Sequence, residues 1–92
     1  MLIEKQELIT EVQIFLEELK KNNPEKGSHE WYLINNLNNY LELLIITNTS
    51  TAIKSASEKL DMYCIDCMNW DTPLFKRCMK ITRLGLKIAK NN

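Results

Sequence analysis

The chain has 92 residues, of which 45% are hydrophobic and 26% charged, with only two glycines and two prolines. These are the proportions of one globular domain spanning residues 1–92, and so few breakers argue against a turn-rich β fold. The formal net charge is zero but unevenly laid: residues 1–71 hold all 12 acidic and six basic residues, a net of −6, while 72–92 hold the other six basic residues and no acid, a net of +6.

The opening stretch, MLIEKQELIT, carries acids and no apolar run of signal-peptide type. The longest aliphatic run, Leu43–Ile46, is far short of the roughly 20 residues that cross a bilayer. A cytoplasmic protein with no membrane span is therefore expected. Three cysteines without a secretory signal read as reduced thiols rather than a disulfide framework.

In chain order, Leu8, Ile9, Val12, Phe15, Leu16 and Leu19 recur at helical spacing and predict a first helix over 3–21. Its early glutamates and its late Lys20 and Lys21 suit the helix dipole. The cluster NNPEKG breaks it. A second helix then starts with Ser28 as cap, or earlier with Asn23 as cap and Pro24 in the first turn, and runs to about Thr47. Leu33, Leu37, Tyr40, Leu41 and Leu44 share its inner side, with Asn35, Asn36, Asn38 and Asn39 behind them. Its second half, where Leu41, Leu43, Leu44, Ile45 and Ile46 surround the axis, needs cover on more than one side.

A third helix is expected from a Thr49 or Ser50 cap to about Asn69, with Ile53, Ala56, Leu60, Tyr63, Cys64 and Cys67 inward. Asp71, Thr72 and Pro73 give a start signal for a fourth helix reaching about Lys90, with Leu74, Cys78, Ile81, Gly85 and Ile88 inward. Four helices of about 28 Å joined by short connections predict an all-α fold: a four-helix antiparallel bundle, or two stacked helical hairpins.

Two patterns bear on function. Lys76, Lys80, Arg83, Lys87 and Lys90, spaced 4, 3, 4 and 3, draw a basic line along the fourth helix, with Arg77 beside it. Such a line is a solvated face, a docking edge for an acidic protein, or a track for nucleic-acid phosphates. There is also a surplus of apolar side chains outside the inner faces: Ile14, Leu43, Ile46, Met62, Ile65, Phe75, Met79 and Leu86. A contiguous exposed apolar patch marks an interaction surface, and methionine suits one that adapts to its partner.

The remaining candidates carry less. Cys64, Cys67 and Cys78 form C-x2-C-x10-C, which with His29 matches a Cys3His zinc set in composition. CIDC continues a helical stripe, however, and reads better as buried thiols, so no metal is expected. His29 has no nucleophile placed beside it, and there is no glycine-rich phosphate loop. Neither catalysis nor a cofactor is expected. Trp31 and Trp70 fall at opposite connections, where sealing the bundle ends is the better reading and an exposed Trp would be a binding anchor.

The expectation is a non-enzymatic interaction module of chaperone, co-chaperone, inhibitor or immunity type. It would bury Leu43, Ile46, Met62, Ile65, Phe75, Met79 and Leu86 against a protein, another copy or a different chain, with Lys76, Lys80, Arg83 and Lys87 selecting an acidic rim. Nucleic-acid binding through the last helix is the alternative.

Overall fold

The computed structural model describes residues 3–47, 49–68 and 70–90, with side chains from Lys5 onward. Four helices follow one another: α1 (Ile3–Lys21), α2 (His29–Ile46), α3 (Ser50–Cys67) and α4 (Pro73–Lys90). Each packs on its neighbours in chain order and α4 closes back on α1, while the diagonal pairs stay apart. That ring is an antiparallel four-helix bundle, not two stacked hairpins. Its radius of gyration, 12.6 Å, is close to the roughly 12 Å of a compact domain of this length.

Local chemistry sets the helix ends. Asn23, at φ 47°, takes the left-handed conformation that closes α1, and Pro24 follows in the connection rather than opening α2. Gly27, at φ 87°, holds the third place of a turn in which the Ser28 N–H donates to the Glu25 carbonyl at 3.0 Å. Ser28 then caps α2 by accepting from the Trp31 N–H at 3.2 Å. Thr49 caps α3 through the Ala52 N–H at 3.2 Å, and Thr72 accepts from the Phe75 N–H at 3.2 Å, with Pro73 opening α4. Helix α3 stops at Cys67, short of Asn69, which lies outside the described residues; Met68 is already extended.

The core joins Leu8, Val12, Phe15, Leu33, Leu37, Leu44, Ile53 and Ile88, each at most 2% exposed, with the rest of the inward stripes. Four inward placements differ from expectation. Cys67, the last residue of α3, is exposed, and Leu41, Tyr63 and Leu74 are half-buried. Three polar residues occupy buried positions instead: Lys5, Ser57 and Thr82. Each has a partner. Lys5 Nζ donates to the Thr47 carbonyl, placing a cation at the C-terminal end of α2 where the helix dipole favours it. Thr82 Oγ1 lies 3.0 Å from Asp61 Oδ1 and 3.1 Å from the Met79 carbonyl.

Ser57 matters most for packing. Its hydroxyl is 2.8 Å from the Tyr40 hydroxyl, and a β-carbon built on Gly85 would stand 2.2 Å from Ser57 Oγ and 2.4 Å from Tyr40 Oη. Only a glycine lets α4 come this close to α3, which is the tightest seam of the bundle. Gly85→Ala gains up to about 1 kcal/mol of helix propensity but overpacks this contact, and a net loss of about 1–3 kcal/mol in urea unfolding is expected. Stability unchanged or raised would show that the seam yields.

Tyr40 adds a pH dependence. Burial lifts its phenol from 10.0 to about 12, partly opposed by the hydrogen bond with Ser57. The folded chain therefore keeps a proton that the unfolded chain sheds. The stabilisation from this group is whole below pH 10 and is lost as pH rises through about 12, by about 2–3 kcal/mol. Urea midpoints across that range should fall in the parent and fall less in Tyr40→Phe. A slope remains there because the Tyr63 phenol is also raised, to about 12, first by burial and then by neighbouring thiols.

Candidate protein-interaction surface

Helix α4 presents three faces. Cys78, Ile81, Thr82, Gly85 and Ile88 are buried; Lys76, Lys80, Arg83, Lys87 and Lys90 are exposed; Phe75, Met79 and Leu86 lie half-buried between them. The lysines point outward because the sequence alternates apolar and basic residues at helical spacing, so seating one set in the core turns the other to solvent. Arg77 is committed elsewhere. It pairs with Glu18 of α1 and stands 4.8 Å from the centre of the Phe15 ring, tying α4 to α1.

Two hollows flank the basic line. Between α1 and α4, the loosest seam, a groove of about 1010 Å³ has Ile81 and Leu84 among its lining, Lys80, Arg83 and Lys87 on one wall and Glu7 and Glu11 on the other. Across the line, a cleft of about 510 Å³ lies between the end of α3 and α4, lined by Ile65, Trp70, Phe75 and Met79 with Lys76, Lys80 and Arg83. Lys76, Lys80 and Arg83 border both; the groove sets Glu7 and Glu11 of the same chain opposite them, whereas among the described residues no acid lines the cleft.

The cleft depends on the connection between α3 and α4. Trp70 does not seal the bundle end: it is 61% exposed, with its ring stacked on Phe75 at 6.1 Å between centres and 20° between planes. The Trp70 Nε1–H donates to the Ile65 carbonyl, in the last turn of α3, at 2.9 Å and fixes the indole at the cleft mouth. Trp31 behaves differently, half-buried with its ring edge-on to Tyr32 at 5.0 Å.

The structure thus brings together six of the residues singled out from sequence: Ile65, Phe75, Lys76, Met79, Lys80 and Arg83. It separates others. Leu43 lines a small pocket of about 260 Å³ between α2 and α3, and Ile46 is 74% exposed near the end of α2, at the opposite end of the bundle from Trp70. Lys87 faces the α1–α4 groove, while Met62, 63% exposed, and Leu86 line none of these hollows. Ile14 is exposed on α1, and His29 is exposed in the first turn of α2. Glu7 and Glu11 of the first helix stand across the groove from the basic line, as expected of a solvated face that leans towards the glutamates of that helix.

The cysteines gather without forming a metal centre. Cys64 and Cys78 are buried, Cys67 is exposed, and among the described residues no group of three or more potential ligands is placed to hold a metal ion. No helix among them is long and apolar enough to cross a membrane. Comparison of the chain with protein-family models, with curated proteins and with solved structures finds no match in any of the three.

Proposed function

We propose that this chain is a non-enzymatic protein-interaction module, of inhibitor or chaperone type, that takes an acidic, amphipathic segment of a partner protein into the cleft between α3 and α4. The observation that carries the reading is Trp70, mostly exposed yet held in place on Phe75, beside Met79 and Ile65 and under a rim of cations. Tryptophan and arginine are the residue types that most often dominate binding energy, and a pre-fixed indole has little conformational freedom left to lose. Apolar burial in the cleft would supply affinity. Lys76, Lys80 and Arg83 would supply encounter rate and orientation from the cleft rim.

The experiment is capture from the native source by the immobilised chain, followed by binding kinetics with the recovered partner. Trp70→Ala should weaken binding by at least about tenfold, mainly through faster dissociation. Lys80→Glu/Arg83→Glu should slow association and remove most of its salt dependence. Binding equal to the parent's in both variants would place the interface elsewhere and overturn the reading.

The exposed row from Lys76 to Lys90 keeps a second reading in view, in which α4 lies along nucleic-acid phosphates. Glu7 and Glu11 beside that row oppose it. Retention on heparin and duplex DNA at low salt, abolished in Lys80→Glu/Arg83→Glu but untouched in Trp70→Ala, would favour nucleic acid over a protein partner.

A further inference from the structure

The tight α3–α4 seam fixes which residues face each other along its length. Gly85 sits against Ser57. In an antiparallel pair, two turns forward on one helix and two turns back on the other restore the same facing, and two turns are about seven residues. Seven residues after Ser57 stands Cys64; seven before Gly85 stands Cys78. The hydrogen bond of Thr82 with Asp61, between these two layers, holds the register in place.

Both thiols have no exposed surface. The neighbouring Cys64 side chain, followed by burial, drives the Cys78 thiol far above its ordinary range. Cys67, one turn beyond Cys64 and at the last position of α3, is exposed, and Tyr63 lies close enough to all three thiols to feel each of them. A shielded pair and a solvent-facing third thiol therefore share one corner of the bundle.

We propose that Cys64 and Cys78 are a redox pair that closes to a disulfide across α3 and α4, with Cys67 as the relay through which a small-molecule disulfide such as oxidised glutathione reaches them. The Cys67 thiolate attacks one sulfur of glutathione disulfide, releasing one glutathione thiolate and leaving a mixed disulfide. The Cys64 thiolate attacks the Cys67 sulfur and expels the second glutathione. With Cys64 bridged to Cys67, the first cause of the raised Cys78 pKa is gone; Cys78 gives up its proton, attacks the Cys64 sulfur as the thiolate and releases Cys67. Two protein thiols are oxidised, one glutathione disulfide is reduced, and the protons of Cys64 and Cys78 are taken up through solvent by the two departing glutathione thiolates.

The final exchange runs toward Cys64–Cys78 because the register of α3 on α4 places those residues in one layer and the bridge clamps two helices. It also fixes the last turn of α3, and with it Ile65 in the cleft wall. This pairing does not rest on the function proposed above, and it can hold whether or not the cleft binds a partner.

The test uses the full reduced chain and oxidised glutathione at about pH 8, with remaining thiols alkylated before peptide mapping. The expected product has lost two hydrogens, joins Cys64 to Cys78, carries its single alkyl group on Cys67, and melts roughly 10 °C higher than the reduced chain. Cys67→Ser should reach the same product at least about tenfold more slowly. A stable glutathione adduct on Cys67, or a Cys64–Cys67 bridge as the final species, would overturn the pairing. An unchanged rate in Cys67→Ser would overturn the relay.

Discussion

The close approach of α4 to α3 at Gly85 is the constraint on which the rest of the molecule depends. With no β-carbon there, the backbone of α4 comes down onto the hydroxyls of Ser57 and Tyr40, so three helices meet at one small, hydrogen-bonded point. A wholly apolar core of larger side chains would hold α4 further out. The consequence is asymmetric packing: α4 sits tight against α3, and the seam with α1 is left loose enough to form a groove. Arg77, on Glu18 and over Phe15, is the tie that limits how far that seam opens. Because α4 is seated this way, its basic row faces solvent between two hollows, one of which has Glu7 and Glu11 on its far wall.

A net charge of zero conceals this arrangement. The first helix and the basic last one are adjacent in the bundle, where Glu18 pairs with Arg77, and Glu7 and Glu11 face the basic row across the α1–α4 groove. Exposed pairs of this kind contribute little to stability, but they set the potential that an approaching molecule meets. On the α3 side the apolar surface is aromatic and held in position. A stripe of charge is weak grounds for a site. The same stripe beside a fixed indole gives a direction.

Most of the architecture was legible because it rests on local chemistry. Ser28, Thr49 and the Thr72–Pro73 start are caps whose partners lie three residues away, so sequence spacing suffices to place them. What was missed rests on partners 17 to 42 residues distant. Lys5 and Ser57 fall on the inward stripes at helical spacing, as Leu8 and Ile53 do, but their polarity disguised them; each is buried because another helix supplies its hydrogen bond. Cys67 shows the opposite error. Its spacing continued the stripe of Ile53, Leu60 and Cys64, yet α3 ends at that residue and the chain turns toward Trp70. Trp70 itself lies in a connection, where no periodicity reports which way a side chain points.

The surplus of apolar residues is divided between the two ends of the bundle, and this decides which of them can act together. Ile45 and Ile46, 57% and 74% exposed, lie at the end of α2 that adjoins Lys5 of α1; Ile65 and Trp70 lie at the other end, where α3 gives way to α4. With the longest axis of the molecule at 37 Å, one short peptide segment does not engage both ends at once. The α2 end lacks the features that make the α3–α4 end specific, namely a stacked aromatic pair, a shaped cleft and a rim of cations. Aliphatic side chains standing singly at a helix end are ordinary for a small domain. A partner that recognises this chain through the basic helix would thus bury Phe75 and Met79 together with Trp70, and leave Leu43 and Ile46 in water.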